Sequence, residues 1–262
     1  MISKNMGINN TETETPHHRL GLILGAEAVC ALRKLHVMVV GLGGVGGACV
    51  EALARCGVGK MTLIDGDDTA ISNLNRQLLV TRNNLGVPKT QAAIHRIAAI
   101  DPGIATQGIT RRLMPDDATA VLDEFQPDAV VDAIDDIPVK AALAAACSRC
   151  ECLETASLGM GRRLDPTQVR LGDIFAVTGD PLARALKRLL RRDGVQALRV
   201  AYSLEPPISS PPALAEPTAM EPLEQTPGQR LPVGSSAFVP NAAGLAIASD
   251  IICTWLKQRN PA

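Results

Sequence analysis

The chain has 262 residues, of which 46% are hydrophobic and 20% charged, enough to bury a sizeable core in one α/β domain that folds alone. Its formal net charge of −1 excludes a global attraction to nucleic acid or an anionic membrane, so any polyanion contact must come from local basic patches. Seven cysteines lie mostly in apolar, helix-like segments with no secretory signal before them, and the longest apolar stretch, Asn241 to Leu256, is interrupted by Asp250 and falls short of the roughly 20 residues of a membrane span; a reducing cytoplasm and no membrane anchor are expected.

Residues 1–15 are polar and without periodicity, which predicts a disordered tail ahead of a single domain over 16–262. From residue 36 to 155, short β-branched or apolar runs alternate with helical patterns, the signature of βαβ units on a parallel sheet. The predicted strands are His36–Val40, Met61–Asp65, Ile104–Thr110, Asp128–Ala133 and Cys152–Ala156. A second tier follows: a strand in QVRLGDI (168–174), a helix in DPLARALKRLLRR (180–192) and a strand in ALRVAYS (197–203), extending the same sheet. Between Glu205 and Pro232 the composition turns to Pro, Ser and Glu, with seven prolines from Pro206 to Pro227. No regular element persists there, and a flexible crossover loop over 205–232 is predicted. A strand-like GSSAFVP (234–240) and a helical NAAGLAIASDIICTWLK (241–257) then bring the chain back onto the sheet.

The run HVMVVGLGGVGG places Gly41, Gly43, Gly44 and Gly46 where a buried strand hands over to a helix beginning near Val45. Glycines permit a sharp turn and a close approach to phosphate, and the helix N-terminus offers free N–H groups and partial positive charge. Asp65, at the end of the next strand, is placed to hold ribose hydroxyls. The same fingerprint serves NAD- and FAD-binding oxidoreductases. The residues that follow argue for a triphosphate: Asn73, Asn75, Arg76, Gln77 and Lys89 fall on the loop and helix after the acidic strand end. Moving charge onto a leaving pyrophosphate calls for cations such as Arg76 and Lys89. Asp135, at the carboxyl edge of the strand ending VVDAIDD, could hold Mg²⁺ near the phosphates.

Five blocks, GLGGVG, LIDGDD, SNLNRQ, GVPK and DAIDD, spread from Gly41 to Asp136, give the chain its resemblance to the ThiF/MoeB-like superfamily of adenylating enzymes. Within it the chain looks most like the tRNA threonylcarbamoyladenosine dehydratases, through HHRLGLILG, EALARCGVG, LDPTQVRLGDI, DPLARALKRLL, VAYSLEPP and GSSAFVPNAAGLAIASDII; the similarity covers about residues 17 to 256. The resemblance implies a Rossmann-like, doubly wound, mostly parallel sheet with a C-terminal antiparallel extension. It implies ATP and Mg²⁺ as cofactors, with Asp65 on the ribose, Asn73, Arg76 and Lys89 at the phosphates, Asp135 as the metal-side or phosphate-side acid, and Asp67 and Gln77 among the nucleotide contacts. It further implies a homodimer in which Arg19 of HHRLGLILG reaches the neighbour's ATP. The implied reaction is adenylation of the threonyl carboxylate of threonylcarbamoyladenosine in tRNA, followed by ring closure with release of AMP. The implied alternative is adenylation of the C-terminus of a ubiquitin-like sulfur-carrier protein, which would also bring a sulfur-relay or carrier partner. An NAD-binding oxidoreductase and a non-catalytic nucleotide sensor remain as further readings.

The chemistry agrees with that resemblance, because a carboxylate becomes electrophilic once AMP is its leaving group and no protein nucleophile is required. Only Cys147, Cys150 and Cys152 cluster, without the second CxxC pair of a structural zinc site, so no zinc is expected and CSRCEC reads as the end of a helix entering a buried strand. Arg184, Lys187, Arg188, Arg191 and Arg192 recur at helical spacing and form a candidate patch for tRNA phosphates, equally readable as a solvated face. Arg162 and Arg163 form a second candidate patch. With five aromatic residues in the chain, base stacking offers little, and tRNA recognition would rest on phosphate and shape.

Overall fold

The computed structural model describes residues 15–209 and 233–259. The predicted tail, apart from Thr15, and most of the predicted crossover loop lie outside these residues. Two short helices, α1 (His18–Leu24) and α2 (Ala26–Leu32), precede β1 (His36–Val40). Then follow α3 (Gly44–Arg55), β2 (Lys60–Ile64), α4 (Lys89–Ile100), β3 (Ala105–Ile109), α5 (Asp117–Phe125), β4 (Ala129–Asp132), α6 (Ile137–Cys150), β5 (Leu153–Ser157), β6 (Val169–Asp173), α7 (Pro181–Arg192), β7 (Arg199–Ser203) and α8 (Phe238–Arg259).

The strands form one seven-stranded sheet in the order β3-β2-β1-β4-β5-β7-β6. All pairs are parallel except β6 with β7, where Val169 lies opposite Ser203 and Asp173 opposite Arg199. The antiparallel extension is therefore one strand at the edge. Both faces are covered, as a parallel sheet requires, and the alternation of β1 shows how. Val37 and Val39 pack toward α2, α3, α4 and α8, whereas Met38 and Val40 pack toward α5 and α6. A further apolar cluster joins β5 and β7 to α6 and α7 through Ala156, Leu158, Val200, Leu186 and Leu190.

Two expectations need correction at the C-terminus. GSSAFVP is not a strand: residues up to Ala237 carry no regular structure and the helix already begins at Phe238. Pro240 sits in the first turn of that helix, where its missing N–H and fixed φ are tolerated. The helix is also longer than the stretch expected from Asn241. At 22 residues α8 is apolar and long enough to cross a membrane by length and composition, but Ala243, Ile247, Ile251 and Trp255 are buried in the core shared with α3. At Gly244 an added Cβ would stand 2.3 Å from the Val45 carbonyl oxygen, so the missing side chain lets α8 lie directly on α3.

Candidate active site

β1 is flanked by β2 on one side and β4 on the other, and the chain leaves β1 toward β2 and β3 before returning to β4 and β5. Strand order reverses there, and the connections diverging from the carboxyl ends of β1 and β4 open a crevice. A cavity of about 430 Å³ occupies it, lined by Gly41, Gly43, Asp65, Asp67, Asn73, Arg76, Gln77, Lys89, Arg111, Arg112, Ile134 and Asp135 among others. Beside it lies a more apolar cavity of about 600 Å³. Arg76, Ala133, Ile134 and Asp135 line both. The second is completed by Gly44, Ile137, Ser157, Leu158, Met160, Leu182, Val233 and Pro240.

The four glycines have separate reasons to be glycine. Gly41 has φ +88°, and a Cβ there would lie 2.7 Å from the Ala133 carbonyl oxygen, locking the β1 turn to the end of β4. At Gly46 a Cβ would be 1.8 Å from the Gly41 carbonyl oxygen; this residue lines neither cavity and serves the packing of α3 against its own turn. A Cβ at Gly44 would press on Pro240 of α8 at 3.0 Å. At Gly43, the N-cap of α3, it would meet nothing within 4 Å. That open space belongs to the cavity, and no side chain caps the N–H groups of the first turn of α3.

Across from the turn, the Asp65 carboxylate accepts the Leu42 N–H at 2.6 Å and the Asp67 N–H at 2.8 Å. One lone pair on each oxygen is left for a further donor. Lys89, only 6% exposed at the start of α4, reaches Asp67 at 2.9 Å and stands 3.9 Å from Asp65. Burial raises the Asp67 carboxyl, but hydrogen bonds from Arg112, at 2.7 Å, and Lys89 outweigh it and hold it below the usual carboxylate range. Asn73 closes the loop by accepting the Ala70 N–H at 2.9 Å, and Arg76 donates to the Ser72 carbonyl and to Asn75 at 2.9 Å each. Asn75 in turn ties this loop to the Ser235 carbonyl at 2.9 Å. The Gln77 amide oxygen is buried and has no hydrogen-bond partner among the described residues. In the β4–α6 connection the two acids divide their roles: Asp136 caps α6 by accepting the Val139 N–H at 3.1 Å, and Asp135 stays exposed at the rim of both cavities.

Arg19 is not brought into this cavity. Two residues before it, His17 donates from Nδ1 to the Arg55 carbonyl at 3.1 Å, and its Nε2 accepts from Arg33 at 2.9 Å. Arg33 pairs with Asp101 at 2.7 Å. Arg55 and Asp101 mark the far ends of α3 and α4, roughly 18 Å from their N-termini at about 1.5 Å per residue.

The second basic patch does not hold. Arg163 is 6% exposed; it points inward and donates to the Gly159 and Glu205 carbonyls, with Asp180 at 3.5 Å. Arg162, at φ +59°, donates to the Ile208 carbonyl. Within α7, Lys187 is spent on the Phe175 and Val177 carbonyls, Arg191 lies over the Phe175 ring and Arg192 pairs with Asp193. Arg184 and Arg188 remain exposed, without an ion pair among the described residues. Two further features escaped the sequence reading. Arg111 and Arg112 line the cavity, and their place directly after β3, at the carboxyl edge of a parallel strand, was the available signal. Lys140 is fully buried and pairs with Asp132 at 2.7 Å beneath the β4 terminus; a lone lysine in an apolar helix gives no such signal.

A glycine turn, a bare helix N-terminus, a carboxylate at the end of β2 and a set of cations meet at a switch-point crevice, the place where α/β proteins of this topology bind nucleotides. The comparisons with known proteins narrow the class. The model of the ThiF family matches residues 16–163. The tRNA threonylcarbamoyladenosine dehydratase of Bacillus subtilis is 32% identical over 90% of this chain and 93% of its own length. The molybdopterin-synthase adenylyltransferase of Escherichia coli is 38% identical, but over 45% of this chain and 46% of its own. Among solved structures, E. coli tRNA N6-threonylcarbamoyladenosine dehydratase in complex with AMP superimposes with a TM-score of 0.80 at 28% identity, covering 92% of this chain and 94% of that one. The chain belongs to the ThiF family.

Proposed function

We propose that this chain is an ATP-dependent tRNA threonylcarbamoyladenosine dehydratase, which adenylates the threonyl carboxylate of the modified adenosine and lets the side chain close into a ring. The observation that carries the reading is the pair of adjoining cavities, one polar and cationic for a nucleotide, one more apolar for an acceptor, which meet at Arg76 and Asp135. The near full-length match to dehydratases favours this substrate over a carrier protein, since the adenylyltransferase match spans under half of the chain.

In this reading the Asp65 carboxylate accepts the ribose hydroxyls with the lone pairs that Leu42 and Asp67 leave free. The phosphates enter the space over Gly43, facing the N–H groups of α3. The acceptor carboxylate attacks the α-phosphorus, the bond to the β-phosphate oxygen breaks, and pyrophosphate leaves. Lys89 and Arg76, with Asn73 donating, follow the charge that moves onto it. The carbamoyl group of the same side chain then attacks the activated acyl carbon, and AMP departs. One carboxylate facing phosphate oxygens is a donor set that suits Mg²⁺, so Asp135 would hold the ion, which neutralises charge on the leaving group. Arg111 and Arg112 join the cationic wall, and Gln77 offers its unpaired amide oxygen.

The partner arrangement is part of the same proposal. Arg19 is too far from the cavity of its own chain, and Leu22 and Ile23, three and four residues on, are 71% and 81% exposed. A homodimer that buries this face and delivers Arg19 to the neighbouring cavity accounts for both. The place of work is the cytoplasm, in keeping with seven free thiols.

The test is AMP release from ATP by the purified protein, with tRNA carrying threonylcarbamoyladenosine and with unmodified tRNA as control. AMP and a cyclised nucleoside are expected only with the modified tRNA. Equal release with both, or stimulation only by a protein ending in Gly-Gly, would overturn the assignment.

A further inference from the structure

At the end of the sheet opposite the active site, α6 is closed by a residue in the left-handed conformation: Glu151 has φ 56° and ψ 24°. The reversal brings the next residue back over the last turn, and the Cys152 N–H donates to the Cys147 carbonyl at 3.1 Å. This is the hydrogen bond of a Schellman motif, whose geometry sets those same two side chains against each other. In such caps that contact is frequently between apolar side chains. Here both are thiols. Cys147 is 1% exposed, whereas Cys152 is half-buried and lines, with Cys150, Asp128, Trp255 and Arg259, an open cavity of about 520 Å³.

We propose that Cys147 and Cys152 form an oxidisable dithiol, in which hydrogen peroxide entering this cavity reacts at Cys152 and Cys147 resolves the product to an intrachain disulfide. The site plays no part in the adenylation chemistry, and its standing does not depend on that reading. The Cys152 thiolate attacks one peroxide oxygen, the O–O bond breaks, and a sulfenic acid forms as the first water leaves. The Cys147 sulfur then attacks the Cys152 sulfur, the S–O bond breaks, and the hydroxyl departs with the Cys147 proton as a second water. Two electrons pass from the two thiols to one peroxide, and an added dithiol reverses the step.

The assignment of roles follows from accessibility and electrostatics. Cys152 Sγ donates to the Pro127 carbonyl at 3.3 Å, and its contact with the Cys147 thiol outweighs burial and holds the Cys152 thiol below its ordinary value; the same contact, with burial, pushes Cys147 up. The more acidic sulfur is thus the one that faces the cavity, which is where a reactive thiol must be. Cys150 is the competitor, since it is exposed and its sulfur lies 3.5 Å from the Cys147 carbonyl oxygen. Its side chain leaves from the last helical turn, however, on the near side of the reversal that sets Cys152 over Cys147.

Hydrogen peroxide treatment of the full chain, maleimide blocking of the remaining thiols and tryptic mass mapping test the idea. Cleavage after Lys140, Arg149 and Arg162 separates AALAAACSR from CECLETASLGMGR, so a link between Cys147 and either of the other two joins these peptides. The expected result is the joined pair, lighter than the two reduced peptides by two hydrogens, kept in Cys150→Ser and lost in Cys152→Ser. Dithiothreitol should restore maleimide labelling of both cysteines. A joined pair that vanishes in Cys150→Ser, a link confined within the second peptide, or Cys152 driven to sulfinic acid with Cys147 unmodified would each overturn the proposal.

Discussion

Gly43 and Gly46 stand three residues apart in the same turn and answer to different forces. A Cβ at Gly46 meets the Gly41 carbonyl oxygen at 1.8 Å, so Gly46→Ala must displace the α3 start from β1, an overpacking cost of about 1–3 kcal/mol or more. A Cβ at Gly43 meets no protein atom within 4 Å, yet stands where phosphate is proposed to lie. Gly43→Ala should therefore keep the wild-type melting temperature and lose roughly tenfold or more in ATP affinity, about 1.4 kcal/mol, whereas Gly46→Ala should melt several degrees lower. Calorimetry on the two variants, with and without ATP, separates them; a Gly43→Ala protein that binds ATP normally would remove the turn from the phosphate site. Lys89 carries a comparable double burden, since its charge is held by Asp67 and Asp65 and also faces the cavity. Lys89→Ala should lower AMP formation by about 100-fold or more, the scale of one preorganised charge contact.

At the scale of elements, α7 shows how far a charge pattern can be trusted. Five basic residues recur at helical spacing, but packing commits Lys187 to two carbonyls of the preceding turn and sets Arg191 over Phe175. Arg184 and Arg188 face solvent from the helix whose Leu182 lines the more apolar cavity, beside which the proposed tRNA substrate would bring its phosphates. Replacing both by alanine should weaken tRNA binding about uniformly across sequences and lower its salt slope by about 2, one unit per lost phosphate contact, with ATP affinity unchanged. Lys187→Ala should instead lower thermal stability and leave the slope intact. An unchanged salt slope in the Arg184→Ala/Arg188→Ala protein would move the tRNA surface elsewhere.

For the molecule as a whole, two predictions concern assembly and pH. Subunits carrying Arg19→Ala and subunits carrying Lys89→Ala should each be inactive alone; mixed under conditions of subunit exchange, they should regain activity, because one cavity of the hybrid has both residues. No recovery despite proven exchange would place Arg19 outside the reaction. On acidification, stability should fall in two stages. His36 is pushed below its ordinary value, first by burial and then by Lys60, so the unfolded chain takes up a proton more readily and stability drops once the pH passes below about 6.5. Asp67, Asp101 and Glu51 are raised by burial but lowered further by their arginine, lysine and backbone partners. Their contribution is present above about pH 4 and is lost as the pH falls through their lowered values. Melting temperatures against pH should show both stages in the wild type and only the lower one in His36→Gln.

The sequence alone determined the elements whose signal is local. Five parallel strands came within one residue of their observed limits; in β1, β2 and β4, burial between two helix layers leaves apolar runs that propensity can read, whereas the edge strand β3 (ATQGI) is largely exposed and was placed by the alternation of elements. That Gly41, Gly43, Asp65, Asn73, Arg76, Gln77 and Lys89 would meet at one cavity was legible too, since they lie in short, ordered blocks. Tertiary structure decided what depends on a distant neighbour. It buried Lys140 against Asp132, turned Arg163 inward and brought Arg112 onto Asp67. It made GSSAFVP the approach to a helix, because α8 pays no penalty for its apolar length once α3 covers it. It also set Arg19 at the opposite end of the sheet from the cavity of its own chain, which a sequence cannot show. A charged side chain looks alike in the sequence whether water or a buried counter-ion receives it, and only the fold supplies the counter-ion.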